Sequence, residues 1–205
     1  GYTDGDRLQV DLRWDGVMAP EPLTAIGSTF GSAHHYDQLG HVTGTITLHG
    51  EVIEIDSISM RDRTWGPRPE HRPRQAGYVT GASDHDHGFL AVTNTRDEQD
   101  HIAYGFLRRD GRTVSLASGE RQVLRDPERG WISEISIDAT DAEGRELHAV
   151  GHPVSRIIIN RHSFIDINSL VKWDLSGSPG WGEDQDMWPM HAFSEYTRQR
   201  RGGNQ

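Results

Sequence analysis

Three segments of the sequence carry side chains that are costly to bury and that exchange protons. They are residues 34–38 (HHYDQ), residues 61–68 (RDRTWGPR) and residues 181–188 (WGEDQDMW). Carboxyl and imidazole groups are the usual general acids and bases of enzymes, so these segments are candidates for acid–base catalysis. Side chains alternate between the two faces of an extended chain, which places His34 with Tyr36 on one face and His35 with Asp37 on the other.

Asp62 is the strongest candidate for the catalytic acid. Ile58, Met60 and Asp62 share one face of the strand that the pattern predicts, so the carboxyl is expected to point inward among apolar side chains. Such surroundings disfavour the ionised form of a carboxyl and raise its pKa, which would make Asp62 a general acid.

The strand that carries Asp62 has an irregular apolar pattern. Ile53 and Ile55 are out of phase with Ile58, so the apolar face is expected to change sides at a β-bulge near residues 56–57. Arg61 would then point outward. The alternative is a structural Arg–Asp network that fixes the end of this strand.

Further residues are candidates for handling water and substrate. The candidate catalytic residues are Asp62, His34 and Glu183. His34, Tyr36 or Glu183 would position water or accept the returning proton. The candidate substrate-binding residues are Tyr36, Trp65, Arg61 and Trp181. An indole face stabilises a cation, so Trp65, three residues from Asp62, is expected to line the path of a cationic intermediate.

Composition excludes several other classes of function. The 205 residues include 31 acidic and 21 basic ones, for a net charge of −10, which disfavours nucleic acid as a partner. Cysteine is absent and Lys172 is the only lysine, which removes thiolate and most lysine chemistry. No cofactor motif is present, and residues 84–87 (DHDH) are expected to form a solvated turn rather than a metal site, so neither a cofactor nor a metal is predicted.

The sequence also bears on the cellular location of the protein. No segment approaches the roughly 20 consecutive apolar residues of a membrane-spanning helix, so membrane insertion is not expected. The lack of cysteine and of a basic-plus-apolar leader favours the cytoplasm.

The elements that must position these residues are mainly strands. Apolar and polar residues alternate through residues 41–49, and a turn at His49-Gly50 leads into a second strand that runs to about Met60, which predicts a hairpin. Similar runs are separated by turn signals such as Asp110-Gly111. The pattern predicts an all-β fold, an antiparallel barrel or highly curved sandwich, followed by one short helix over residues 189–201.

These motifs resemble those of a known superfamily. The RDRTWGPR run, preceded by HHYDQ and VTGTI and followed by WGEDQD, is similar to the lipocalin-like superfamily of carotenoid 1,2-hydratases, tocopherol cyclase and AttH-type proteins, and most of all to a bacterial branch of it. The resemblance implies a lipocalin-like barrel over residues 1–205, as the C-terminal half of a two-barrel protein. In hydratases of that superfamily an acid protonates an isoprenoid double bond, although Arg63 stands where they usually have His.

Two main functions follow from this sequence reading. The first is acid-assisted hydration, dehydration, isomerisation or cyclisation of a hydrophobic isoprenoid- or polyketide-like small molecule, held in a barrel lumen into which Asp62 projects. The second is a non-catalytic lipocalin-like module that binds a hydrophobic ligand; a structural half of a two-domain protein is a third reading. A second lipocalin-like domain or a homodimer partner is also expected.

Overall fold

The computed structural model describes residues 8–23, 33–67 and 75–202, so Arg68 at the end of the RDRTWGPR motif lies outside it. The described residues form twelve strands and one helix. In chain order these are β1 (Leu8–Gly16), β2 (Glu21–Pro22), β3 (His34–Leu48), β4 (Glu51–Trp65), β5 (Ala76–Ala82), β6 (Gly88–Arg96), β7 (Gln99–Arg109), β8 (Arg112–Arg125), β9 (Ile132–Asp141), β10 (Glu146–Asn160), β11 (Phe164–Leu175), β12 (Ser178–Pro189) and α1 (Met190–Gly202).

The last eight strands close into an antiparallel barrel. Consecutive strands from β5 to β12 pair as hairpins, and β12 pairs with β5 to close the ring. Asp110 and Gly111 both have positive φ (53° and 72°), which is the geometry of a tight two-residue hairpin turn. The predicted all-β, lipocalin-like barrel and its turn signal are therefore confirmed.

Side chains fill the interior of the barrel. Phe89 and Trp173 meet edge to face at 5.3 Å between ring centroids, and both are almost fully buried. Val79, Ile135 and Ile137 are buried in the same cluster. The expectation of an apolar hollow inside the barrel is therefore wrong, because large side chains from opposite walls occupy that space.

The first four strands form a second sheet, here called the flanking sheet, which lies against the outside of the barrel. β3 pairs with β4 from His34↔Trp65 to Leu48↔Glu51 without a register shift, which confirms the predicted hairpin. The bulge expected near residues 56–57 is absent. Ile53 and Ile58 lie on opposite faces because they are five residues apart in a regular strand. Ile58 packs against the cluster shared with the barrel, whereas Ile53 is exposed.

An apolar contact joins the flanking sheet to the barrel. Leu39 of β3 and Met60 of β4 pack in one cluster with Tyr78, Leu90 and Phe106 of the barrel wall. Since β4 lies outside the closed barrel, Asp62 does not project into a barrel lumen as the sequence suggested. The space between the two sheets takes the place of that lumen.

A buried cluster of charges lies in the barrel. The Arg121 guanidinium donates two hydrogen bonds of 2.9 Å to the Asp184 carboxylate and one of 2.6 Å to Asp100. Arg125 donates to Asp186 at 2.8 Å. Arg121 and Asp184 are both buried, so each charge depends on the other for compensation.

The helix packs against the last two strands. It begins at Met190 and ends at Gly202, one residue later at each end than predicted. Phe193 and Tyr196 contact Trp188 of β12, and Ile167 of β11 belongs to the same cluster. Among the described residues, no helix combines the length and apolar character needed to cross a membrane.

The buried charge cluster leads to a prediction about stability. Arg121→Met should lower the free energy of unfolding by about 3–5 kcal/mol, because it leaves buried carboxylates without their counter-ion. Urea denaturation followed by circular dichroism measures this loss. Arg112→Met removes an exposed arginine that pairs with Glu143, and it should cost no more than about 1 kcal/mol. Equal losses in the two variants would contradict the assigned role of Arg121.

Candidate active site

A groove of about 600 Å³ runs between the flanking sheet and the outer wall of the barrel. Its apolar lining comes from Leu39, Ile58, Met60, Ala82, Leu170 and Trp181. Its polar side chains are Ser57, Ser59, Thr80 and Glu183. Most of the lining is therefore apolar, with one ionisable side chain, and this is the usual character of a site for a small hydrophobic molecule.

Strand β12 places Glu183 in the groove. Successive side chains of a strand point to opposite faces, so Trp181 and Glu183 face outward while Asp184 and Asp186 face the barrel interior. Glu183 lies opposite Thr80 of β5 in the strand pairing. In the WGEDQD motif, Asp184 and Asp186 thus anchor the strand inside the barrel, and Glu183 places a carboxyl in the groove.

The surroundings of Glu183 favour its protonated form. Burial raises the pKa of the Glu183 carboxyl, and the carboxylates of Asp166, Asp62 and Asp184 raise it further, against a hydrogen bond from Gln185 that lowers it. A glutamic acid with a raised pKa retains its proton closer to neutral pH and is able to act as a general acid.

A buried hydrogen-bond network, here called the His35 network, lies between the flanking sheet and the barrel. His35 Nε2 is 2.9 Å from Asp37 Oδ2, and Tyr78 donates its hydroxyl proton to Asp37 Oδ1 at 2.7 Å. Tyr104 Oη is 3.1 Å from the same His35 nitrogen. Burial, followed by the Asp37 carboxylate, raises the pKa of Tyr78 well above its usual value, so Tyr78 remains a donor.

Asp62 connects the His35 network to solvent. With Nε2 donating to Asp37, His35 Nδ1 accepts from the Thr64 hydroxyl at 2.7 Å, and Asp62 Oδ1 lies 3.5 Å from the same nitrogen. The Asp62 side chain is 48% exposed, whereas that of His35 is 2% exposed. Asp62 follows Ile58 and Met60 in phase as predicted, but it lies beyond the apolar contact rather than among hydrophobic side chains.

The strand pairing places the His35 network at one end of the groove. Leu39 and Met60 form a cross-strand pair that lines the groove. The next pair on the same face, two residues further along, is Asp37 with Asp62. On the barrel wall, Tyr78 lies two residues before Thr80 on the same face of β5, and Thr80 lines the groove. The apolar groove therefore leads to a cluster of proton-exchanging groups.

The remaining predicted site residues lie on the opposite face of the flanking sheet. His34 stacks on Trp65 at 5.4 Å, and Tyr36 meets Trp65 edge to face at 6.0 Å. The Arg61 guanidinium lies 4.3 Å from the centre of the Trp14 ring. The structure thus brings Asp62, Glu183 and Trp181 to the groove side and separates them from His34, Tyr36, Arg61 and Trp65.

Sequence reasoning missed the buried partners of Asp62. Strand alternation places His35 and Asp37 on a shared face. The signal that this face is buried is Leu39, the next residue on the same face. Tyr78 and Tyr104 come from β5 and β7, and no local pattern connects them with β3. Their contribution depends on the packing of one sheet on another.

One group of side chains in the described residues has the spacing of metal ligands, namely His35, Asp37 and Asp62. Both ring nitrogens of His35 already contact hydrogen-bonding partners, Thr64 and Asp37. A metal ion would have to displace one of these partners, so the geometry favours a hydrogen-bond network over a metal centre.

The raised pKa of Glu183 predicts a pH-dependent gain in stability for Glu183→Gln. Below about pH 4 the carboxyl is protonated in both the folded and the unfolded chain, so the variant and the wild type should be equally stable. As the pH rises, the unfolded chain ionises first and the wild type loses stability relative to the variant. Urea denaturation at pH 4 and pH 7 measures this difference.

The matched control is Glu54→Gln, which changes an exposed carboxyl on β4. No comparable gain is expected there, because an exposed carboxylate keeps its hydration on folding. A Glu183→Gln variant that is no more stable at pH 7 than at pH 4, relative to wild type, would contradict the burial of this acid.

Comparison with known proteins gives one fold neighbour and one family. The chain is similar to the crystal structure of kievitone hydratase from Nectria haematococca, with a TM-score of 0.54, 13% sequence identity and coverage of 93% of this chain and 63% of that one. The neighbour supports the lipocalin-like fold. None of the curated proteins matches the chain in sequence. A family model matches residues 2–185, and the chain belongs to that family, described as Domain of unknown function (DUF7064).

Proposed function

We propose that this protein catalyses the addition or removal of water at a double bond of a hydrophobic small molecule bound in the groove. The observation that carries the proposal is the position of Glu183, an acid with a raised pKa in a mostly apolar groove that leads to Asp62 and the His35 network. The fold neighbour is a hydratase, which agrees with this reaction class. This chain spans 63% of that protein's length.

Glu183 is the proposed proton donor. In the direction of hydration, its proton forms a C–H bond at one carbon of the double bond, and the other carbon becomes electron-deficient. The low polarity of the groove strengthens the attraction between this carbon and the carboxylate that remains. The sequence alone favoured Asp62 as the donor, but we assign this role to Glu183, because its raised pKa keeps the proton on the carboxyl closer to neutral pH.

Asp62 is the proposed proton acceptor. The oxygen of a water molecule forms a C–O bond at the electron-deficient carbon, and the proton that it releases passes to the Asp62 carboxylate. His35 Nδ1 lies 3.5 Å from this carboxylate, and Asp37 fixes the orientation of the imidazole ring. The two carboxyl groups then return to their starting states by exchanging a proton through solvent. Removal of water follows the same steps in reverse.

A binding module is the second candidate function. Trp181 is 51% exposed and Leu170 is 48% exposed, and both line the groove. Exposed apolar side chains in a groove favour the binding of a hydrophobic molecule whether or not a reaction follows. The experiment below separates the two candidates, because only the enzyme changes the mass of the bound compound.

A partner for the flanking sheet is a further proposal. One face of that sheet exposes Leu8 and Val10 of β1, which are 60% and 57% exposed, and Leu48 of β3, which is paired with Leu8. We propose that a second β-domain or a second copy of the chain covers this face, because large exposed apolar patches usually mark contact surfaces.

Incubation of the protein with a pool of apolar metabolites in heavy-oxygen water tests the enzymatic function. The wild type should convert a retained compound into a product that has gained one labelled water molecule or has lost one water molecule, detected by mass spectrometry. Glu183→Gln and Asp62→Asn should each lower the rate by about 10²–10⁴-fold, because each removes one proton-transfer group. The amount of compound retained by the variants should change little.

Glu54→Gln, an exposed change on β4, serves as the control and should keep the full rate. Retention of an apolar compound with neither a labelled product nor a product that has lost water would favour the binding module instead. Retention of no apolar compound at all would contradict both candidate functions.

A further inference from the structure

A separate pocket lies between α1 and the barrel. Its volume is about 430 Å³. We call it the helix pocket, and its lining includes Arg125, Arg129, Trp131, Trp188, Tyr196 and Arg200. It shares no lining residue with the groove, so ligands of the two sites can be told apart by mutation.

Aromatic rings form the walls of the helix pocket. Trp188 of β12 lies 5.0 Å from the Tyr196 ring and 6.2 Å from the Phe193 ring, both of α1. Trp131 enters from the segment between β8 and β9. Rings on several sides provide stacking and edge contacts for a planar aromatic molecule.

Arginine side chains give the helix pocket a positive character. The Arg125 guanidinium lies 5.1 Å from the centre of the Trp188 ring, and that of Arg200 lies 5.7 Å from the centre of the Tyr196 ring. Arg129 is exposed in the segment between β8 and β9. Glu128 is the one acidic residue in the lining. Three lining residues are thus basic and one is acidic, and Arg125 also pairs with the buried Asp186.

Two neutral donors of the pocket, on Tyr196 and Trp188, already have acceptors within the protein. Tyr196 donates its hydroxyl proton to the Gly130 carbonyl at 3.0 Å, and the Trp188 indole donates to Asp186 at 2.8 Å. Arg200 uses one nitrogen for the Pro127 carbonyl at 2.6 Å. A guanidinium has five N–H donors, so the arginines keep donors for a ligand.

We propose that the helix pocket binds a small planar aromatic carboxylate. The aromatic walls fit the ring system, and a carboxylate forms charge-assisted hydrogen bonds with guanidinium groups, which are stronger than those of a neutral ligand. A volume of about 430 Å³ is within the usual range for a small-molecule site. This proposal does not depend on the reaction proposed for the groove.

Titration with 2-naphthoate tests the proposal, with the fluorescence of the tryptophans and the chemical shifts of their indole protons as readouts. Naphthoate should perturb the signals of Trp131 and Trp188. Arg129→Gln and Arg200→Gln should each raise its Kd roughly tenfold, the loss expected for one charge-assisted hydrogen bond. The neutral analogue 2-naphthamide should bind the wild type at least roughly tenfold more weakly than naphthoate, for the same reason.

Two control variants complete the test. Arg96→Gln removes an exposed arginine of β6 outside the pocket lining, and Trp181→Ala alters the groove, so both should leave the naphthoate Kd unchanged. Arg129 makes none of the contacts described between α1 and the barrel, so its variant remains informative even if Arg200→Gln loosens the helix. An unchanged Kd in Arg129→Gln, equal affinity for naphthamide, or loss of binding in Trp181→Ala would overturn the proposal.

Discussion

The buried carboxylate of Asp37 is the constraint on which the candidate site depends. A carboxylate that is 1% exposed is stable only when hydrogen bonds replace its lost hydration, and Tyr78 and His35 provide them. Tyr78 belongs to the barrel, while Asp37 and His35 belong to the flanking sheet. The same interaction therefore fixes the position of one sheet on the other and orients the histidine that contacts Asp62.

Strand β12 serves both the barrel interior and the groove, because alternate residues of its WGEDQD motif face opposite sides of the barrel wall. Asp184 forms the buried ion pair with Arg121 inside the barrel, and the neighbouring Glu183 faces the groove. Burial of Glu183 disfavours its ionised form and costs stability at neutral pH, and perturbed acids of this kind are common at functional sites. The buried ion pair of Asp184 and Arg121 on one side of the strand keeps Glu183 in position on the other side.

The relation between sequence and structure differs between the fold and the site. Alternating residues and the Asp110-Gly111 turn correctly predicted antiparallel strands joined by hairpins, because the period of a strand is a local property. Of the predicted barrel and curved sandwich, the structure has the barrel. The same alternation misled at β4. Ile53 and Ile58 suggested a bulge, whereas a regular strand is apolar on one face in its first part and on the other face where it meets the barrel.

By itself, the sequence determined the all-β class, the hairpin of β3 and β4, the helix from Met190, and three segments rich in proton-exchanging groups. These depend on neighbours within a few residues along the chain. Only the tertiary structure decided that Asp62 and Glu183 lie on the groove side while Trp65 lies on the opposite face. Pairing between distant strands and the packing of two sheets control those positions, since a strand alone does not determine which of its faces will be covered.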